Sequence, residues 1–333
     1  MFKKNVTVSA EFEKQSVDVI RAAGDNRYAT AAEISKLTFG TAETVVLAYG
    51  DGYADALAGI PLAAKLNAPV LLTRTDDIPQ DTLKEIKRLG AKNVIILGGE
   101  GVISNDVVDD LKDAGLTADR IAGKTRFDTA TKIAELVNDE PEEIFFVYGF
   151  GYADALSINP IAAIKNAPII YLRTDGDIDE DTAAYLEKVK GKVKKAYVIG
   201  GTGVISDEMA AKAAQACGLE NVTRVAGDSR YNTSVAVNEQ FKDVLTGEML
   251  CVATGTTYPD ALAGGLCAAM YKSPLMLVNT AQTTPSFSDE QKAYLQQYIM
   301  DTIVVFGGTG AVPEAQITAL AEAAGCKLND NKI

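Results

Sequence analysis

The sequence predicts an α/β protein built from three tandem modules, each with a parallel β-sheet covered by helices. The prediction rests first on a set of four short motifs that recurs three times, in the same order, along the 333 residues. It rests also on short apolar runs, rich in β-branched and aromatic residues, that alternate with helical segments rich in small residues. Strands that are apolar throughout and separated by helices are typical of a parallel sheet buried on both faces.

The motif after the second predicted strand shows the repetition most clearly. GYADAL occurs twice without change and a third, diverged copy reads TYPDAL, at residues 52–57, 151–156 and 257–262. A second motif, R-[YF]-x-T, precedes each copy, and its arginines are Arg27, Arg126 and Arg230. Because these landmarks recur at intervals of about a hundred residues, they predict three modules of that size. We place the modules at residues 1–119, 120–223 and 224–333.

Each copy contains the same series of elements. A short strand ends in R-x-A-G and leads into a helix, and an apolar strand ending in glycine leads into a helix that begins with D-A-L. A proline precedes a third buried strand, which is followed by a charged helix, a strand ending in Gly-Gly and a last helix. This order predicts a small doubly wound unit, Rossmann-like or flavodoxin-like, whose first strand is the one ending in R-x-A-G.

Every repeated polar motif follows a predicted strand. Because the carboxyl ends of parallel strands share one edge of the sheet, where ligands usually bind, we expect these motifs to converge there. The candidate ligand contacts are five arginines and the aromatic residues beside three of them: Arg27, Arg126, Arg230, Arg74, Arg173, Tyr28, Phe127 and Tyr231. Arg74 and Arg173 belong to a T-R-T segment after the third strand, where the third copy has Asn279.

The repeated aspartates and glycines have a structural interpretation, which we favour over ligand contact. Asp55, Asp154 and Asp260 stand where a helix begins, and a side-chain oxygen at an N-cap satisfies free backbone amides. Glycine pairs after the fourth strand permit tight turns with positive φ. These pairs are Gly98 and Gly99, Gly200 and Gly201, and Gly307 and Gly308.

The arginines leave two interpretations open. No helix or turn requires a guanidinium at Arg27, Arg126 or Arg230. These side chains therefore either pair with the aspartates, within a domain or across an interface, or hold an anionic ligand. Since the third copy has Asn279 in the T-R-T position, the duty of Arg74 and Arg173 is restricted to two copies.

Composition excludes several classes of function. There is no histidine, which rules out Ser-His-Asp and Cys-His catalysis and any histidine-ligated zinc. We therefore expect no catalytic residues, no metal site and no cofactor. The glycine-rich turns lack the lysine of a P-loop and the third glycine of a dinucleotide fingerprint. The formal net charge of −13 argues against binding to nucleic acid or to an anionic membrane.

No apolar run is long enough to span a bilayer, so we expect no insertion into a membrane. The first residues, MFKKNVTVSAEFEKQ, lack the apolar core of a signal peptide. Either the protein is cytoplasmic, or an export signal lies outside this chain. The four cysteines show no CxxC spacing, which favours buried thiols over a redox site.

The ordered motifs R-[IV]-A-G-x-x-R-[YF]-x-T, G-x-x-[YP]-x-D-A-L, the apolar strand after Ala-Pro, and [IV]-[IL]-G-G-x-G closely resemble the type 2 cell-wall-binding repeats of Gram-positive surface proteins. The resemblance covers nearly the whole chain from about Ile20 onward. It implies three Rossmann-like modules packed as a pseudo-threefold triangle. Members of that family usually carry an additional effector region. We find no match to one in these 333 residues, so we expect a bare anchor, a truncated protein or a minimal member of the family.

The resemblance implies a non-catalytic anchor at the cell surface that binds an anionic secondary wall polysaccharide non-covalently, with other surface-layer proteins as further partners. The diverged third copy, with Tyr-Pro before Asp260 and Asn279 in place of arginine, argues against equal binding by the three modules. Two rival hypotheses stand beside it. One is a surface-layer lattice protein without a ligand, in which the arginines bridge modules. The other is a nucleotide- or sugar-phosphate-dependent enzyme, which predicts one copy enriched in unique polar residues.

Overall fold

A computed structural model describes residues 15–329, which form three parallel β-sheets interleaved with helices. The α/β class and the parallel sheets predicted from the sequence are confirmed. The initial segment, predicted not to be a signal peptide, lies outside the described residues except for Gln15.

The strands and helices alternate along the described chain. The strands are β1 (Ser16–Ala22), β2 (Thr44–Tyr49), β3 (Val70–Thr73), β4 (Asn93–Leu97), β5 (Thr117–Ile121), β6 (Glu143–Tyr148), β7 (Ile169–Leu172), β8 (Lys195–Ile199), β9 (Thr223–Val225), β10 (Met249–Thr254), β11 (Leu275–Val278), β12 (Thr302–Phe306) and β13 (Lys327–Leu328). The helices are α1 (Arg27–Thr38), α2 (Ala54–Lys65), α3 (Gln80–Leu89), α4 (Asn105–Asp113), α5 (Arg126–Val137), α6 (Ala153–Ile164), α7 (Glu180–Val189), α8 (Asp207–Ala216), α9 (Arg230–Gln240), α10 (Pro259–Met270), α11 (Asp289–Gln297) and α12 (Glu314–Ala323).

Each sheet contains one strand that belongs to a different repeat from the others. Two sheets have the strand orders β3-β2-β4-β5 and β7-β6-β8-β9, and the third has the order β11-β10-β12-β1-β13. The expectation that the R-x-A-G strand begins the sheet of its own repeat is therefore wrong. β5 pairs with β4 and β9 pairs with β8 of the preceding repeat. β1 lies between β12 and β13 of the last sheet, with Asp18 opposite Thr302 and Ser16 opposite Lys327.

The connectivity of the chain explains this arrangement. A short turn leads from α4 into β5 and a short loop leads from α8 into β9, so each helix is a crossover that returns the chain to the next place in the same sheet. The boundaries placed at 119/120 and 223/224 thus fall inside β5 and β9. The first described strand, β1, fills the equivalent place in the last sheet and closes the three repeats into a ring.

The D-A-L helices, α2, α6 and α10, meet at the centre of the ring. Each also packs against the first helix of the following repeat. We call these interfaces the first seam (α2 with α5), the second seam (α6 with α9) and the closing seam (α10 with α1). This cyclic pattern of contacts confirms the triangle with pseudo-threefold symmetry.

One hydrophobic core runs through all three repeats because the central helices approach closely. Gly264 lies on the ring of Phe306, where an added Cβ atom would come within 2.1 Å. Gly265 faces Asn159 of the second repeat, which is fully buried. With its amide turned to satisfy both neighbours, Asn159 donates to the carbonyl of Leu57 in the first repeat (2.9 Å). The repeats therefore share packing and hydrogen bonds at the axis.

Candidate functional site

Three tyrosines stand at the pseudo-threefold axis, where the carboxyl ends of the strands meet. The rings of Tyr53, Tyr152 and Tyr258 have centroids 5.5 to 5.7 Å apart and meet edge to face or tilted. Each hydroxyl donates to a backbone carbonyl of the next repeat in the ring. The bonds run from Tyr53 to Phe150 (3.0 Å), from Tyr152 to Thr256 (2.8 Å) and from Tyr258 to Gly50 (3.2 Å). The tyrosine repeated in the two GYADAL copies and in TYPDAL was the signal for this cluster, which sequence reasoning missed.

The strand-end arginines lie at the seams. Nη1 of each donates to the glycine carbonyl that ends the second strand of its own repeat: Arg27 to Gly50 (2.7 Å), Arg126 to Gly149 (2.8 Å) and Arg230 to Gly255 (2.8 Å). In the first seam, the guanidinium of Arg126 lies 5.9 Å from the ring centroid of Tyr53. In the second seam, Arg230 lies 5.2 Å from the Tyr152 ring and donates to its hydroxyl (2.9 Å). Arg27 forms an ion pair with Asp51 of its own repeat, whereas Arg126 and Arg230 reach aromatic rings across an interface. Binding of an anionic ligand by these side chains stays a prediction.

The aspartates of the D-A-L motif are not N-caps, so that prediction is wrong. The helices begin two residues earlier than an aspartate N-cap requires, with a tyrosine at the N-cap, and each aspartate is the second helical residue. Although these side chains keep some contact with solvent, desolvation raises the pKa of Asp55, Asp154 and Asp260, that of Asp154 to about 6. The arginine across the seam opposes each shift. The opposing pairs are Arg126 with Asp55, Arg230 with Asp154, and Arg27 with Asp260.

The two glycines of each Gly-Gly turn differ in role. The first has the predicted positive φ, at +113° for Gly98, +109° for Gly200 and +103° for Gly307. An added Cβ atom would also come within 2.8 Å of the facing aspartate carboxylate at all three positions. The second glycine does not have a positive φ, and a Cβ atom there would meet nothing within 4 Å. This is so at Gly99, Gly201 and Gly308. The fold therefore requires glycine at the first position. At the second position, no neighbouring atom of the described residues covers the backbone.

A threonine and an N-cap fix the loop between the R-x-A-G strand and the following helix. The amide of Gly123 donates to the hydroxyl of Thr129 (3.0 Å), and Thr125 caps α5 by accepting from the amide of Asp128. The other repeats use the pairs Gly24 with Thr30 and Gly227 with Thr233, and the caps Asn26 and Ser229. Sequence reasoning missed these caps, although an Asn, Thr or Ser directly before each repeated arginine was a usable signal.

A second set of arginines, which are the first residue of each R-x-A-G motif, donates hydrogen bonds to the Gly-Gly turn after the neighbouring strand. Arg120 donates to the carbonyl of Gly98 (2.7 Å), and Arg224 donates to that of Gly200 (2.8 Å) and to Asp207 (2.9 Å). In the last sheet, Arg21 donates to Gly307 (2.9 Å) and to Glu314 (2.8 Å). These arginines, which the sequence analysis did not single out, fix each Gly-Gly turn from the adjacent strand, and Arg21 does so from the other end of the chain.

The aromatic residues beside the strand-end arginines pack under the same edge. Tyr28 and Phe127 are buried, and Tyr231 is half-buried. Each ring lies on the glycine that ends the second strand, where a Cβ atom would come within 2.5 to 3.0 Å of it: Gly50, Gly149 and Gly255. Packing explains why these rings and glycines recur together.

The T-R-T arginines lie at the same edge but are engaged by local acids. Arg74 forms an ion pair with Asp77 (2.6 Å) and lies 5.2 Å from the Tyr28 ring centroid. Arg173 donates two hydrogen bonds to Asp179 (2.9 and 3.0 Å) and lies 4.5 Å from the Phe127 centroid. Both side chains are about half exposed, at 51% and 43%. They can offer charge to a ligand only in competition with these carboxylates.

Clefts open where the motifs of two repeats face each other. The cleft at the first seam has a volume of about 420 Å³ and is lined by Tyr53, Asp55, Gly99, Lys124 and Arg126, among others. The equivalent cleft at the closing seam has a volume of about 440 Å³ and is lined by Asp25, Arg27, Tyr258, Asp260 and Gly308, among others. Each cleft thus combines the second and fourth strand ends of one repeat with the R-x-A-G loop of the next.

The remaining reactive groups of the described residues have inert environments. The four cysteines are buried, and desolvation raises the pKa of Cys217 to about 12 and that of Cys267 to about 11. Within residues 15–329, no group of three or more His, Cys, Asp or Glu side chains is placed to hold a metal ion. None of the described helices is both long and apolar enough to cross a membrane.

The fold and its seams define a closed ring of three α/β repeats with ligand-sized clefts along one edge. The family model described as cell wall binding domain 2 (CWB2) matches residues 21–108, 120–210 and 224–317, and the chain belongs to this family of cell-wall-binding domains. The resemblance seen in the sequence is confirmed, and family membership associates the chain with the wall or surface of the cell.

Relatives and solved structures agree with this assignment. The N-acetylmuramoyl-L-alanine amidase LytC of Bacillus subtilis (strain 168) is 34% identical over 294 residues, covering 88% of this chain and 56% of the relative. Cwp6 from Clostridium difficile superposes with a TM-score of 0.86 and 28% identity, over 97% of this chain and 50% of that one. Cwp8 from the same organism gives 0.81 and 30%, over 92% and 51%. The chain spans about half the length of these proteins.

Proposed function

We propose that this chain is a non-catalytic anchor that binds an anionic polysaccharide of the cell wall non-covalently through the clefts at its seams. Family membership supports attachment to the wall. The polymer, and other surface-layer proteins as neighbours, are the partners that we infer. Attachment to such a polymer places the protein at the cell surface.

The observation that carries the proposal is the chemistry of the clefts. Within the described residues, no side chain caps the amino ends of α2, α6 and α10, so amides of their first turns are left for a ligand or water. A strand-end arginine lies at each of these helix ends, across the seam. Gly99 and its equivalents leave the backbone open to close approach. Backbone amides next to a guanidinium favour a phosphate or carboxylate group.

These clefts also answer the difficulty that the chain is acidic overall. A net charge of −13 repels an anionic polymer at long range. Salt screens such repulsion beyond about 8–10 Å, whereas a guanidinium within hydrogen-bond distance of an anion is screened far less. We therefore infer that binding is short-ranged, and that three weak contacts on one polymer add through avidity.

A catalytic role is not part of the proposal. The relative LytC is named as an amidase, but this chain matches only 56% of it. We infer that the activity belongs to the part of that protein outside the match. The chain has no histidine, and its repeats carry matched motifs without one copy enriched in unique polar residues. We expect no release of muropeptides from purified wall beyond that of a boiled control.

The lattice hypothesis keeps one specific observation in its favour, since Arg27, Arg126 and Arg230 all donate hydrogen bonds within the ring. A pull-down with purified wall separates the hypotheses. An anchor binds wall that carries its anionic polymer and loses binding when the polymer is removed by mild acid. A lattice protein without a ligand binds neither wall. Equal binding to both walls would contradict the proposed polymer and point to peptidoglycan.

A further inference from the structure

The three seams share a backbone but differ in charge. The residue after each R-x-A-G motif is Asp25 at the closing seam, Lys124 at the first seam and Asp228 at the second seam. The residue after the glycine that binds the arginine is Asp51, Phe150 and Thr256, in the same order. The three residues of each set occupy equivalent positions in the repeats. The differences within a set therefore change the charge at the seams and leave the fold unchanged.

At the closing seam, a carboxylate of the protein already holds the arginine. Oδ1 of Asp51 lies 2.7 Å from Nη1 of Arg27, and Oδ2 accepts a hydrogen bond from the Tyr28 hydroxyl (3.2 Å). Asp25 and Asp260 line the same cleft. One cation therefore faces three carboxylates, and an incoming anion competes with Asp51 for the charge of Arg27.

At the first seam, the arginine has no such partner. Phe150 takes the place of Asp51, and the Arg126 guanidinium lies 4.9 Å from its ring centroid. Among the described residues, the protein offers Arg126 one hydrogen-bond acceptor, the carbonyl of Gly149. Lys124 is exposed and lines the same cleft, where Asp55 is the acidic lining residue. Two cations therefore face one carboxylate.

Two of the other acidic residues near the first seam have basic partners of their own. Oδ2 of Asp128 accepts from the Lys124 amide (2.7 Å) and lies 3.3 Å from Nζ of Lys132. Asp179 is bound to Arg173. Glu100 is exposed in the turn after β4, where its charge acts on Arg120. None of these acids neutralises Lys124 and Arg126 as Asp51 neutralises Arg27.

We propose that the cleft at the first seam is the principal subsite for an anionic group of the wall polymer, and that Asp51 occupies the equivalent subsite at the closing seam. This inference rests on the proposed function and names which of the clefts performs it. The second seam, with Asp228, Thr256 and an arginine bound to the Tyr152 hydroxyl, is intermediate. The unequal binding that the sequence predicts thus follows from charge, with the first seam ahead of the other two.

Reciprocal exchanges between the seams test the inference. The variant Lys124→Asp with Phe150→Asp gives the first seam the charges of the closing seam. The variant Asp25→Lys with Asp51→Thr removes the two exposed carboxylates from the closing seam. Two triple variants at the opposite edge of the sheets match these changes in net charge: Lys92→Gln, Lys194→Gln and Lys195→Gln for the first, and Glu43→Gln, Glu142→Gln and Asp301→Asn for the second. All six control positions are exposed.

The readout is the dissociation constant for purified wall with its anionic polymer, and for the same wall stripped of it, with a melting curve for each variant. We expect the first-seam exchange to weaken binding about tenfold or more, as the loss of a charge-assisted contact does. We expect the closing-seam exchange to strengthen binding about threefold, and both controls to stay within about twofold of the wild type. If the first-seam exchange does not fold, Lys124→Gln with Phe150→Thr takes its place.

Two results overturn the inference. In one, the exchanges change the affinity no more than their charge-matched controls do. In the other, the closing-seam exchange weakens binding as much as the first-seam exchange. The proposed function is tested separately, by comparing the affinity of the wild type for the two walls. If the wild type does not prefer wall that carries the polymer, the proposed function fails and the inference fails with it.

Discussion

The axis and the clefts of this ring follow different rules. At the axis, the three repeats are alike: a tyrosine triad, a first glycine with positive φ and a D-A-L helix whose amino end has no cap. Beside the arginines of the seams, one equivalent position carries Asp51, Phe150 and Thr256. Ring closure thus uses the same geometry three times, whereas the charge beside the arginines differs from seam to seam.

The largest effect is expected from breaking the axis. A fragment of residues 121–225 contains the whole second sheet, but it exposes the face of α6 that packs on α2 and α10. A domain of about a hundred residues has a thin core and cannot give up such a face. We expect the fragment to be poorly folded or to aggregate, as measured by circular dichroism and size-exclusion chromatography. A monomeric fragment that melts cooperatively would contradict the shared core.

Adjacent glycines at the axis and the cleft give a matched pair of variants. Gly98→Ala forces a positive φ on alanine and brings its Cβ atom within 2.8 Å of Asp55, so we expect a loss of about 2–3 kcal/mol in the free energy of unfolding. Gly99→Ala meets no such atom and should cost less than about 0.5 kcal/mol. Urea unfolding measures both. Because Gly99 lines the cleft, its variant should weaken wall binding; similar stability losses in both variants would refute the distinction.

Burial of the axis carboxylates predicts a pH dependence with a definite sign. Desolvation raises the pKa of Asp154 to about 6, so the folded state binds its proton more tightly than the unfolded state. This contribution to stability is complete below about pH 4 and is lost as the pH rises through 6, by at most about 3 kcal/mol. Asp154→Asn should therefore gain stability over the wild type between pH 4 and 7. The exposed Asp181→Asn is the control, and a pH-independent difference for Asp154→Asn would contradict the assignment.

The smallest effect is expected from the T-R-T arginines. From the sequence, loss of an arginine contact would weaken one site roughly tenfold or more. In the structure, Asp77 and Asp179 already engage Arg74 and Arg173, so we expect Arg74→Ala with Arg173→Ala to weaken wall binding only about threefold. The binding assay is run beside a melting curve. A folded double variant with unchanged affinity and salt dependence would remove these two residues from the binding surface.

The sequence was informative wherever the signal is local. The order of strands and helices, the positive φ of Gly98 and the position of the arginines at strand ends all follow from short motifs. The sheet to which β1 belongs did not follow, because residues 18–22 pair with residues 302–306 at the other end of the chain. β5, with the sequence TADRI, carries too little apolar pattern to indicate its neighbour.

The candidate site shows the same limit. The arginines could be found from the sequence, but their partners could not, because Arg126 meets Tyr53 and Asp55 of another repeat. The aspartates looked like N-caps because acidic residues are common both at the cap and in the first turn. Only the position of the helix start separates the two. The difference between Asp51 and Phe150 was visible in the sequence, but its meaning depended on knowing that Arg27 contacts one of them.

Hydrogen–deuterium exchange with purified anionic wall polymer can compare the three seams within a single molecule, so that each seam serves as a control for the others. We expect protection of residues 98–104 and 122–129, which lie at the first seam, on addition of polymer. We expect little or no change at the equivalent residues of the closing seam, 307–313 and 23–30. Equal protection at all three seams, or protection confined to surfaces away from them, would show that the first seam is not the principal subsite.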